Sequence, residues 1–242
     1  MCHNLLMAEK TAGSIRARVR AELIEEIKNA ARRQIASEGA SLSLRAVARE
    51  LGMVSSALYR YFASRDDLLT ALIIDAYNSL GEASEKADAL VTDRADILGR
   101  WLAVTRALRA WALEFPHEYA LIYGSPVPGY VAPEDTVGPS TRPVLVLGSI
   151  LADARTTGHL ADVPDPGLGS VPPALGAEIQ AVAELVSADV RVPVMARAVI
   201  AWTELFGAIN FELFGRINNV IDERDDWYDY QSRAMAAFVG LV

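Results

Sequence analysis

Cysteine is nearly absent. The 242 residues hold only Cys2, so no internal disulfide can form and a small cross-linked secreted scaffold is excluded. Histidine is as scarce: His3, His117 and His159 stand apart, without the spacing of a metal site, and neither a metal nor a cofactor is expected. No charge-free apolar run reaches the ~18–20 residues of a membrane span, and the N-terminus lacks a signal peptide's apolar core, so a soluble cytoplasmic chain with no membrane partner is expected. Aromatics make up only 7% of a chain that is 52% hydrophobic, and alternating apolar runs are few, so the reading is all-α. Trp, Tyr and His in a helical body could in principle host catalysis. With no nucleophile–base pairing, Gly-rich phosphate loop or carboxylate constellation at telling spacing, no enzyme and no catalytic residue is expected.

Positive charge is in short supply everywhere but at one end. Residues 10–65 carry eleven Lys and Arg against five Asp and Glu, net +6, whereas the formal total is −8, which leaves −14 for the remainder. A small basic module on an acidic body can hold phosphates at one end only. Inside that module lies SLSLRAVARELGMVSSALYRYF, residues 41–62. Leu44, Val47, Ala48 and Leu51 fall on one face of a short helix that Ser41 or Ser43 can cap, and Gly52 and Met53 make the corner. A second helix follows, with Leu58 and Phe62 inward and small residues at its start. Small side chains let a helix N-terminus approach base edges, and the adjacent Tyr59, Arg60 and Tyr61 can reach phosphate oxygens. The next segment, Ala63-Ser64-Arg65-Asp66-Asp67-Leu68-Leu69, caps a third helix and sets Arg65 beside the tyrosines.

This run, above all Leu-Tyr-x-Tyr-Phe followed by a small residue, a basic residue, an acidic pair and two leucines, resembles the N-terminal domain of TetR-family transcriptional regulators over roughly residues 15 to 75. The resemblance implies a three-helix helix-turn-helix domain at 15–66 and a larger helical domain for ligand binding and dimerisation at 67–242. It also implies a DNA-binding set of Ser43, Arg45, Ser55, Ser56, Ala57, Tyr59, Arg60, Tyr61 and Arg65. Val54 stands where the family often has a Ser cap, and Ser55 where a Lys often follows. Further on, Phe115-Pro116, Pro126 to Thr136 and Trp202-Thr203-Glu204-Leu205-Phe206-Gly207 resemble the C-terminal domain of a WHG-type subgroup, with Phe206 in place of its usual His. The function implied is a homodimeric repressor on a palindromic double-stranded DNA operator, released by a small apolar effector. An architectural protein that has lost specific reading is opposed by Arg45, Tyr59, Tyr61 and Arg65.

The remaining expectations come from periodicity. Residues 1–14 show none and are expected to be mobile, the first six being either no part of the native protein or a disordered extension ahead of Met7. A helix from Val19 to Ser37 carries Leu23, Ile27, Ala31 and Ile35, and a basic arm of Arg16, Arg18 and Arg20 leads into it. Leu68, Leu72, Ala76 and Leu80 mark a lever helix into the body. Further helices are expected at 93–115, 144–155, 193–217 and from Trp227 to the end, the last with Tyr230, Ala234, Ala237, Phe238 and Leu241 inward. Pro/Gly-rich stretches at 126–133 and 158–173 read as loops, the second mobile, that leave a flexible entrance to a body cavity. Trp101, Phe115, Tyr119, Tyr123, Trp202 and Asn210 are the expected lining of that cavity, and helices 193–217 and 225–240 the expected subunit contact.

Overall fold

A computed structural model describes residues 2–38, 42–163, 169–186 and 188–242, with side chains from residue 15 onward. Ser41 and Gly39 therefore lie outside the described residues. Ten α-helices run through the described chain, and no β-strand forms among its residues: α1 (Cys2–Glu38), α2 (Leu44–Glu50), α3 (Ser55–Leu58), α4 (Arg65–Leu90), α5 (Ile97–Glu114), α6 (Pro116–Tyr123), α7 (Val137–Thr157), α8 (Pro173–Leu185), α9 (Val192–Leu213) and α10 (Arg224–Val239).

Two cores divide the apolar side chains. Ile27, Ala30, Ala31 and Ile35 of α1 meet Leu44, Val47, Ala48, Leu58 and Phe62 in the first. Trp101, Leu108, Ile150, Leu205 and Ile209 belong to the second. Helix α4 serves both. At 26 residues it is about 39 Å long; Leu68, Leu69, Leu72 and Ile73 complete the first core, and Ala76 and Leu80 enter the second. The first core thus runs past residue 66.

Around α4 the body closes with α5 and α7 against it, α10 on α5 and α9, and α8 on α9. Arg100 of α5, only 1% exposed, is held by Asp88 at 2.8 Å and Asp153 at 2.7 Å, which fastens the end of α4 to α7. The C-terminal residues lie along the segment after α7: Ala161 donates to Gly240 O at 2.7 Å and Val242 to His159 O at 3.1 Å.

Several expectations are corrected. Helix α1 begins at Cys2, so the N-terminal residues continue the helix rather than preceding it. Helix α7 starts at Val137, earlier than expected, with Pro143 inside it; Leu147, Ile150 and Leu151 are buried, whereas Leu145 is exposed. No element was expected over 174–190, yet Pro172 and Pro173 open α8, where a missing N–H costs nothing, and Ile179 and Ala183 bury it. The 126–133 segment is no free entrance: Val127 joins the first core, and Tyr130 shares a 2.9 Å hydrogen bond with Thr70 of α4. Of the 158–173 loop, residues 164–168 lie outside the described residues.

Helix α10 is turned relative to its expected stripe. Tyr228, Ser232, Ala236 and Val239 face inward, and Leu241 is buried as expected with Phe238 half-buried, whereas Tyr230 is 67% exposed and Ala234 and Ala237 point out. Polar contacts set this rotation: Trp101 Nε1 donates to Ser232 O at 2.9 Å, Arg106 pairs with Asp229 at 2.5 Å, and the Arg109 guanidinium lies 5.6 Å from the Tyr228 ring centre. By length and composition α9 could cross a bilayer. Its breadth has a different use in this fold, for Ala201, Leu205 and Ile209 fill the core while Ile200, Phe211 and Phe214 stay exposed, as do Trp227 and Tyr230 of α10.

Candidate nucleic-acid interface and interior cavity

The motif corner is built by backbone hydrogen bonds. Ser43 caps α2, its hydroxyl accepting from Ala46 N at 3.4 Å. At the other end Met53 N reaches Ala48 O at 2.8 Å and Gly52 N reaches Arg49 O at 3.1 Å, a paired closure that requires a left-handed residue between them. Gly52 supplies it at φ +65°. Helix α3 then starts at Ser55 with no side-chain cap from Val54, and after Leu58 it tightens into turns that carry Tyr59 and Arg60 outward and leave Tyr61 half-buried against the first core. Ser64 ends the motif by capping α4 at Asp67 N, 3.0 Å away.

Four of the nine expected DNA-contacting residues, Ser43, Arg45, Tyr59 and Arg65, line one shallow concavity, together with Leu42, Leu44, Ala63 and Ser64. Arg45 is exposed and Tyr59 is 47% exposed. Arg65 is oriented along the wall by its Nε, which donates to Leu42 O at 3.2 Å, and by Asp66 at 3.3 Å. Ser56 is exposed on α3, with Ser55 and Ala57 half-buried beside it; none of the three lines the concavity. Arg60 and Tyr61 lie on the opposite flank, where the Arg20 guanidinium sits 4.9 Å from the Tyr61 ring centre and Arg20 donates to Arg60 O at 3.4 Å. The basic arm thus reaches this surface through Arg20. Ser64 belongs to the concavity as well, and its capping position was the signal that could have placed it there.

The body holds a half-open cavity of about 420 Å³. Tyr77 of α4, Trp101 of α5 and Tyr123 of α6 form one side, Val144, Leu147 and Leu151 of α7 another, and Val182, Val186, Ala198 and Trp202 close it. Trp101, Tyr123 and Trp202 are therefore on the wall. Phe115, Tyr119 and Asn210, expected with them, are not. Phe115 lines a separate cleft of about 250 Å³ with Ile35, Leu72 and Glu118. Tyr119 is fully buried behind the wall, its hydroxyl donating to Phe206 O at 3.3 Å and accepting from Asn210 Nδ2 at 3.1 Å. A helical stripe identifies a face of α6 but not which end of it meets the cavity, and Tyr123 alone is at that end. Burial pushes the Tyr119 and Tyr123 phenols far above their usual range.

One charged cluster ties the two regions together. Asp75 of α4 holds Lys28 at 2.8 Å and Arg32 at 2.6 Å, both from α1, and Arg32 also reaches Glu118 of α6 at 3.1 Å. Desolvation raises the Glu118 carboxyl above the usual carboxylate range.

Comparison with known proteins bears on both regions. Residues 27–72 match the bacterial regulatory proteins of the tetR family, and residues 101–235 match the tetracyclin repressor-like C-terminal domain. The HTH-type transcriptional regulator Rv1816 of Mycobacterium tuberculosis is 36% identical over 223 residues, spanning 90% of this chain and 92% of the relative. Among solved structures, that of SCO4313, described as a regulatory protein, is 31% identical, with a TM-score of 0.73 over 91% of this chain and 98% of its own. The TetR family transcriptional regulator PfmR of Thermus thermophilus shares the fold at 17% identity, with a TM-score of 0.52 over 88% of this chain and 96% of its own. The chain belongs to the TetR family of transcriptional regulators and carries that family's DNA-binding domain at its N-terminal end.

Proposed function

We propose that the protein is a cytoplasmic homodimeric repressor that reads a near-palindromic operator through α3 and leaves it when a small apolar molecule fills the body cavity. The observation that carries the DNA reading is the concavity in which Ser43, Arg45, Tyr59 and Arg65 converge beside the start of α3. Hydroxyl and guanidinium donors on one wall suit a phosphate run, and the adjacent Ser55, Ser56 and Ala57 are small enough for close approach to base edges. The DNA-reading module is taken to be residues 15–66 and the regulatory body residues 67–242, with α4 common to both.

The outward face of α9 and α10 supports dimerisation. Ile200 lies two turns before Gly207, which Phe211 and Phe214 follow at four- and three-residue steps along α9 and its C-cap; Trp227, Tyr230, Ala234 and Ala237 recur at such steps on α10, and a two-fold partner would cover both rows in a four-helix bundle. Such a dimer presents two α3 helices to successive major grooves, about 34–36 Å apart or somewhat more.

Selection of bound duplexes from a random pool tests the reading. An inverted repeat should emerge, and its affinity should fall steeply with salt. A pool that stays random after repeated selection rejects operator recognition.

A further inference from the structure

The cavity wall is almost entirely carbon, and its polar atoms are largely committed. Among the described residues no Asp, Glu, Lys, Arg or His contributes to the lining. The Ser140 and Thr141 hydroxyls donate to Val137 O and Gly138 O, both at 2.8 Å, and Tyr77 donates to Ile122 O at 3.4 Å. Those three protons are used, leaving weak acceptor capacity. The Trp202 indole N–H is buried with no partner among the described residues, so it adds no accessible donor to the wall. The titratable groups on the wall are the phenols of Tyr77 and Tyr123, on α4 and α6; burial raises both, so they stay neutral through the physiological range. Helices α5, α7, α8, α9 and α10 present none to it.

We propose that this cavity selects an uncharged, mainly apolar molecule, an alkyl ester for example, and rejects carboxylates and ammonium ions of the same length. The proposal rests on the reading of the cavity as the effector site. An ion brought into such a wall finds no opposite charge and few hydrogen bonds, so it enters as its neutral form or not at all. A carboxylic acid with an ordinary pKa is neutral in roughly one molecule in a few hundred at pH 7, and an alkylammonium ion is deprotonated more rarely still. Discrimination against both charged forms is therefore expected to reach on the order of 100-fold.

Methyl octanoate, octanoate and octylammonium form a matched probe set for titration calorimetry on the full-length protein. At pH 7 the ester should bind and the two ions should bind at least ~50-fold more weakly. Between pH 7 and 6 octanoate should gain about tenfold in affinity, octylammonium should gain about tenfold between pH 7 and 8, and the ester should stay level. Ala198→Phe and Val144→Phe, each accepted only if it melts cooperatively near the parent temperature, should weaken the ester at least tenfold. Equal binding of all three probes, tighter binding of an ion, no ester binding up to its solubility, or an ester indifferent to both filling variants overturns the proposal. Repeating the titrations with operator duplex separates it from effector-driven release. Selective ester binding that operator leaves unchanged upholds the cavity chemistry and defeats release, whereas an octanoate preference that operator weakens does the reverse.

Discussion

Glu118 of α6 lies 3.1 Å from Arg32 of α1, and five residues along the same helix Tyr123 forms part of the cavity wall. A shift of α6 that accommodates a molecule against Tyr123 must therefore strain or release an ion pair to the DNA-reading domain. Glu118→Gln should change operator affinity of the empty protein by about five- to tenfold, at the low end of the usual range of coupling energies, while leaving the selected sequence unchanged. Fluorescence anisotropy on the selected duplex measures this, and an unaltered affinity would remove α6 from the coupling route.

The DNA-facing residues should separate by type. Arg45→Ala is expected to weaken every duplex similarly and to reduce the salt slope by about 1, because one phosphate contact is lost. Tyr59→Phe should weaken binding without altering that slope, since no charge is removed. Ser56→Ala should instead shift base preference. Equal effects of Ser56→Ala on matched and scrambled duplexes would take α3 out of the major groove.

Phe211 is 57% exposed and Tyr230 67% exposed on neighbouring helices. If a second subunit covers them, Phe211→Glu introduces two like charges into an apolar seam at every dimer. Light scattering should then report a monomer at micromolar concentration, and operator affinity should fall by on the order of 100-fold. A variant that retains the parent mass would place the subunit contact elsewhere.

The Arg100 network gives a pH-dependent test. Burial opposes ionisation of Asp88, but hydrogen bonds from Arg100 and Arg94 outweigh it and hold the carboxyl below its ordinary value of 3.8. Because the folded value is depressed, the stabilisation is complete above the unfolded value and is lost as the pH falls through the folded one. Asp88→Asn should cost about 2–4 kcal/mol at pH 7, Arg100 keeping Asp153 as its partner, and the cost should shrink below about pH 4. Urea titrations at pH 7 and pH 3.5 compare the two; a cost independent of pH would mean that the charge on Asp88 is immaterial.

What could be read from the sequence was local. The α2–α3 corner is written in Gly52 and Met53, and the side chains at 43, 45, 59 and 65, proposed to contact DNA, are brought together by short-range geometry. Helix α10 shows the limit. Its most apolar row, Tyr230, Ala234 and Ala237, points outward, and the inward row contains Ser232 and Tyr228, whose burial depends on Trp101 and Arg109 from a helix more than a hundred residues earlier. The cavity divided for the same reason: Trp101, Tyr123 and Trp202 reach its wall, but nothing local distinguishes Tyr119 from Tyr123 until α9 places Asn210 against the former. Helix α8 opens with two prolines beside a Pro/Gly-rich loop, but Leu175, Ile179, Val182 and Val186 recur at four- and three-residue steps, so its stripe was legible in the sequence.

Helix α4 has a further consequence, for the order in which the molecule comes apart. Leu68, Leu69, Leu72 and Ile73 are nearly inaccessible in the first core, and Ala76 and Leu80 are as deep in the second. A fragment ending at residue 66 would lack four of the side chains that fill its own interior, each worth ~2–5 kcal/mol when a comparable side chain is truncated to alanine. That exceeds what a small helical module has to spare. Neither half can melt while the other keeps α4 intact, so heating should give one calorimetric transition with equal calorimetric and van't Hoff enthalpies rather than two.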